Sequence, residues 1–139
     1  MPFPEMMVAP IRRELTQHGF EELRTPEDVD ALLKDGRGTA LIAINSTCGC
    51  AATRMRPAVV EALRNSRRKP DRITTVFAGQ DLEATARVRE YIVGYPPSSP
   101  SVALLKDGQV VFMLERKDIE RREPADIAAD LVRALDALA

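Results

Sequence analysis

Cysteine is scarce in this chain: two residues in 139, a single glycine between them, alongside one histidine, no tryptophan and an aromatic share of 4%. Two cysteines so close together cannot staple a long loop, which sets the chain apart from small secreted domains held by disulfide frameworks. A closed zinc site takes about four nitrogen or sulfur ligands, and beyond Cys48 and Cys50 the only soft donors are His18 and the methionines. No metal site is therefore expected, although two thiolates alone could hold Cu(I), and a Cu(I) or Zn dithiol protein stays open as an alternative. Long apolar runs are missing too. Nothing approaches the ~18 residues of a membrane span, and no charged segment leading into an apolar one follows Met1, so neither a transmembrane helix nor a signal peptide is expected. Neither sign of charge is in excess, with 20 Lys and Arg against 21 Asp and Glu and a net charge of −1. That balance gives no electrostatic reason to expect nucleic acid. The basic run Arg64, Arg67, Arg68 and Lys69 reads instead as a complement to the negative end of a helix dipole. The expected compartment is the cytoplasm, which keeps thiols reduced, so a cysteine pair there is catalytic, redox-sensing or metal-binding rather than structural.

What is present is ordinary globular composition, 45% apolar and 29% charged, over a length that suits one domain spanning residues 1–139. Apolar spacing predicts a first helix from Glu5 to His18, stopped by Gly19, with Pro10 as a kink or break. Thr25 caps a second helix, Val29 to Lys34. Thr39–Asn45 is a continuous apolar run, as in a strand covered on both faces. Ala51–Ser66 reads as a third helix containing Pro57. Ile73–Ala78 is a second strand, and Asp81 is expected to cap a fourth helix over Leu82–Ile92. Ser101–Lys106 and Gln109–Glu115 form a hairpin about Asp107-Gly108. Ala125–Leu138 is the last helix. Strands alternating with helices require a parallel portion of sheet, and the terminal hairpin adds an antiparallel pair. The expectation is an α/β fold with a mixed four-stranded sheet and helices on both faces.

A strand entering Cys48 and a helix leaving Cys50 put both sulfurs at a helix N-terminus. Unpaired N–H groups and the positive dipole end there favour a thiolate, and Arg54 and Arg56 are expected to add to the effect. A disulfide across Cys48-Gly49-Cys50 closes a smaller ring than one across CxxC, and Gly49 helps because it adopts backbone angles denied to other residues. Strain should remain. A strained disulfide is a poor reductant and a better oxidant, isomerase or mixed-disulfide exchanger.

Pro100, placed before Ser101–Lys106 and the Asp107-Gly108 turn, resembles the thioredoxin superfamily, where a cis-proline opening a core strand faces the active-site cysteines. A narrower likeness follows. Asn45-Ser46-Thr47-Cys48-Gly49-Cys50-Ala51-Ala52, Arg56-Pro57, Val76–Asp81 and Pro97-Ser98-Ser99-Pro100-Ser101 resemble the bacilliredoxins, and the likeness extends upstream to Pro10–Leu15 and Gly19–Leu23. The resemblance implies a thioredoxin-like three-layer α/β/α sandwich that removes bacillithiol from bacillithiolated proteins and acts as a disulfide isomerase in the alternative. It implies Cys48 as nucleophile, Cys50 as resolving cysteine and a cis Pro100 beside them. Ser46, Thr47, Arg56 and Ser99 would border the substrate, with Ser99 presenting its backbone. The implied partners are thiol-capped client proteins, bacillithiol or a similar small thiol as co-substrate, and a recycling reductase. No cofactor beyond the redox-active pair is implied. Some members carry a further C-terminal cysteine where this chain has Ala139, and Thr53, Arg54 and Met55 stand where the family is often small or apolar.

Overall fold

In the computed structural model, which describes residues 2–138, the chain runs through α1 (Glu5–Thr16), β1 (Glu21–Glu22), α2 (Pro26–Leu33), β2 (Thr39–Asn45), a π-helical turn (Ala51–Met55), α3 (Arg56–Asn65), β3 (Arg72–Phe77), α4 (Leu82–Tyr91), β4 (Ser101–Lys106), β5 (Gln109–Leu114), α5 (Arg116–Ile119) and α6 (Pro124–Asp136). The sheet order is β1-β3-β2-β4-β5. β1, β3 and β2 are mutually parallel, β4 is antiparallel to β2, and β5 is antiparallel to β4. β2 lies at the centre, and its alternate side chains serve two cores. Leu41 and Ala43 pack with Val59 of α3 and Leu131 and Leu135 of α6. Ile42 and Ile44 pack with Val29 of α2 and Ala84 and Val88 of α4. Covering both faces is why the strand reads as a continuous apolar run rather than an alternating one.

Thr25 caps α2 through a reciprocal box with Asp28. Asp107 and Gly108 take positive φ of 50° and 79° in the hairpin turn, the backbone that makes Asp-Gly so strong a signal. Four features differ from the sequence reading. The sheet has five strands rather than four, because β1 is two glutamates with no apolar pattern, paired through backbone to Thr74 and Thr75. Ala51–Ser66 is not one α-helix: the Arg56 N–H reaches the Ala51 carbonyl, and the π-helical turn brings Pro57, which has no N–H to donate, to the start of α3. Asp81 makes no side-chain cap to α4. Its carboxylate accepts from the buried Arg12 at 2.7 and 3.1 Å, where Arg12 also pairs with Glu5 and stacks over Phe77. Finally, α5 was hidden by its charged residues and rests on a capping box between Glu115 and Asp118. Among the described residues no helix is long and apolar enough to cross a membrane. Ala139, noted for the cysteine it replaces, lies outside the described residues.

Candidate active site

Strand register brings distant loops together at one edge of the sheet. β2 ends at Asn45 opposite Phe77, and Ile44 pairs with Ser101 at the start of β4. Val102 in turn pairs with Leu114 at the end of β5. The segment through Cys48, the Ser98–Pro100 loop and the start of α5 therefore leave the sheet side by side. The Ser99–Pro100 bond is cis, the isomer expected from the resemblance.

Cys48 and Cys50 are half-buried free thiols with their sulfurs 2.8 Å apart. The Cys48 thiol is lowered below the ordinary cysteine range, first by the hydrogen bond from the Cys50 side chain and then by the Cys50 N–H, which reaches the Cys48 sulfur at 3.4 Å. The Cys50 thiol is raised, first by desolvation and then by its bond to Cys48. Cys48 is therefore the more acidic of the two sulfurs, the one that ionises first. A nucleophile prepared in this way should react at lower pH than its neighbour, since the thiolate is the reactive form. Alkylation of the reduced protein across a pH series, with each cysteine mapped by mass, should label Cys48 first, beginning below the pH at which an ordinary cysteine reacts. Earlier labelling of Cys50 would reverse the order of the pair.

The other expected site residues fall into two groups. Thr47 and Gly49 are exposed next to the cysteines in the chain, and Ser99 lies on the loop that enters β4 beside the end of β2, its carbonyl held by Arg116 at 3.1 Å. Gly49 lies outside the left-handed region and a Cβ there would meet nothing, so the dithiol form makes no demand for glycine at this position. Ser46 and Arg56 face inward. Ser46 Oγ accepts from the Cys48 N–H at 3.2 Å. Arg56 is only 4% exposed and donates to Asn45 Oδ1 at 2.8 Å, to the Ser46 carbonyl at 3.1 Å and to Glu14. The side chains of both residues therefore support the motif from beneath.

The cation that acts on the sulfurs is also not the one expected. Arg54 donates to the Arg122 carbonyl and Arg56 is buried under the loop. Arg116, at the start of α5, contributes a smaller lowering at both thiols by its charge, outweighed at Cys50 by desolvation and the bond to Cys48. Nothing near Cys48 in the sequence pointed to it. The only available signal was its place just after the hairpin strand, which follows from the register of β4 and β5. Among the described residues no group of three or more His, Cys, Asp and Glu could hold a metal ion, and His18 lines a groove with Val60 and Arg64.

The model of a family described as disulphide isomerase matches residues 3–139 of the chain. A bacilliredoxin of Salinibacter ruber is 57% identical over 99% of this chain and 81% of its own length. One from Geobacillus kaustophilus is 50% identical over 96% of this chain and 92% of its own. Among solved structures, a protein described as having a thioredoxin fold superposes with a TM-score of 0.57 at 14% identity, over 85% of this chain and 95% of that one. An Arabidopsis thaliana thioredoxin in its oxidized state gives 0.50 at 16% identity, over 76% and 89%. At such identities these structures speak to the thioredoxin-like fold.

Proposed function

We propose that this chain, which belongs to the bacilliredoxin family and is a thiol-disulfide oxidoreductase of thioredoxin-like fold, removes low-molecular-weight thiol caps of the bacillithiol type from protein mixed disulfides. The observation that carries this reading is the unequal dithiol: the two sulfurs lie 2.8 Å apart, with the Cys48 thiol lowered and the Cys50 thiol raised. The Cys48 thiolate attacks the cap sulfur of the mixed disulfide. The client–cap bond breaks, a Cys48–cap disulfide forms, and the client leaves as a thiolate that takes a proton. Cys50, losing its proton, then attacks Cys48, expels the cap as a free thiol and closes the Cys48–Cys50 disulfide. The two electrons gained by client and cap come from the two protein sulfurs, so no bound cofactor is invoked. A reductase or a second small thiol must return them. Such chemistry fits a reducing, cytoplasmic compartment.

Disulfide isomerisation is the second reading, favoured by the description that the matching family carries. The two separate on substrate. The reduced protein, given in parallel a bacillithiol-capped client and a client with scrambled internal disulfides, should free the capped client faster and leave itself oxidised. Faster rescue of the scrambled client, with the capped one untouched, would favour the isomerase and defeat cap removal.

A further inference from the structure

Arg116 is held in place but not used up. Its backbone N–H donates to Ser98 Oγ at 3.3 Å, Nη1 donates to the Ser99 carbonyl at 3.1 Å, and Nε donates to Glu120 at 3.1 Å. A guanidinium has about five N–H donors in a planar fork; with Nη1 and Nε each using one, the rest of the Nη edge has no partner among the described residues. That edge belongs to a half-exposed side chain fixed to the Ser98–Ser99 loop, which strand register sets beside the segment leading to Cys48. The neighbouring arginines are committed elsewhere: Arg54 to a carbonyl, Arg56 beneath the motif, and Arg89 to the Ser98 carbonyl at 3.2 Å. Lys117 pairs with Glu115. Arg116 is therefore a cationic fork at the same end of the sheet as Cys48, with Glu120 holding Nε, the Ser99 carbonyl taking one Nη1 hydrogen and the remaining Nη hydrogens free among the described residues.

We propose that Arg116 forms the subsite for a carboxylate carried by the small-thiol cap, so that the protein selects anionic caps over neutral or cationic ones. The inference rests on the cap-removal reading above and adds the charge class of the cap. As Cys48 attacks, the fork holds the carboxylate and keeps the cap sulfur in line. The client–cap S–S bond breaks, the Cys48–cap S–S bond forms, and the client departs as its thiolate with no net change in electrons. Caps bearing an ammonium meet the same guanidinium as a like charge.

The test uses the full chain and one model peptide capped in turn with mercaptopropionate, mercaptoethanol and cysteamine. Each rate of cap transfer is normalised to the rate of the same peptide with dithiothreitol. Because Arg116 is half-exposed, the expected preference for the carboxylate cap over the neutral one is modest, about three- to tenfold, with the cationic cap slowest. The preference should shrink at high salt, disappear in Arg116→Met and persist in Arg116→Lys. Arg89→Met removes a comparable prop from the adjacent carbonyl and should keep the order of caps. Since the quantity read is a ratio within one variant, a general loss of activity cancels. Equal normalised rates in the unaltered protein, or an unchanged order in Arg116→Met, overturn the subsite while leaving cap removal intact. Failure of the unaltered protein to remove any cap overturns the reading beneath it.

Discussion

Serine at position 48 should reduce cap removal to the uncatalysed rate, whereas serine at position 50 should still complete one transfer and accumulate a cap adduct on Cys48. The difference follows from the unequal environments of the two sulfurs. The Cys50 N–H donates to the Cys48 sulfur and the Cys48 thiol is lowered, while the Cys50 thiol is raised, first by desolvation. Thiolate character and access select the attacker. Cys50→Ser replaces one donor to Cys48 with another, so the first step should survive with a modest slowing, but nothing remains to expel the cap. A small thiol in excess should restore turnover by a one-cysteine route. Intact-mass measurement after mixing each variant with a capped client separates these outcomes. An adduct on Cys50 in the Cys48→Ser protein, formed at undiminished rate, would reverse the roles.

Arg56→Met should destabilise the protein by about 2–4 kcal/mol, because two buried hydrogen bonds from a charged group are lost at roughly 1.5–3 kcal/mol each and water replaces them only in part. The acceptors left behind are Asn45 Oδ1 and the Ser46 carbonyl, directly before the motif. Asn45 Oδ1 also accepts the Ser46 N–H, and Ser46 Oγ accepts the Cys48 N–H, so the loss reaches the nucleophile's own backbone. Cap transfer should slow in the folded fraction as well. Glu14→Gln is the contrast: Glu14 is 47% exposed, and an ion pair open to solvent contributes under about 1 kcal/mol. Denaturant titration of both variants, with single-turnover transfer measured under native conditions, checks the pair. Equal destabilisation by the two substitutions would show that the exposed ion pair, rather than the buried amide and carbonyl contacts, matters at this site.

Wherever one chain segment contained its own signal, the sequence was legible. The Asp107-Gly108 turn, the Thr25 cap and the doubly covered strand Thr39–Asn45 each depend on local backbone preference or local apolar content. Two of the misreadings share a cause, a partner far away in the chain. Asp81 has the right residue type and position for a cap, yet its carboxylate goes to Arg12, far away in the chain and buried, where a charged partner outweighs a helix-end N–H that water can satisfy. Glu21–Glu22 pairs as a strand through backbone groups alone, which no side-chain pattern reveals.

The same division runs through the site. By itself the sequence determined the alternation of the main strands and helices and the two sulfurs at a strand-to-helix junction, which follow from local periodicity and a tripeptide whose chemistry is contained in its own atoms, while the family came from the resemblance of several motif blocks along the chain. Only the tertiary structure decided which cation stands beside those sulfurs. Arg54 and Arg56 are near Cys50 in sequence, but a helix turns successive residues to different faces, and theirs lead to the Arg122 carbonyl and to the buried Asn45–Ser46 turn. Arg116 arrives because β4 pairs with both β2 and β5, which sets the end of the hairpin at the same end of the sheet as the strand that leads to Cys48. Strand register is a long-range property, and it gave the site its charge.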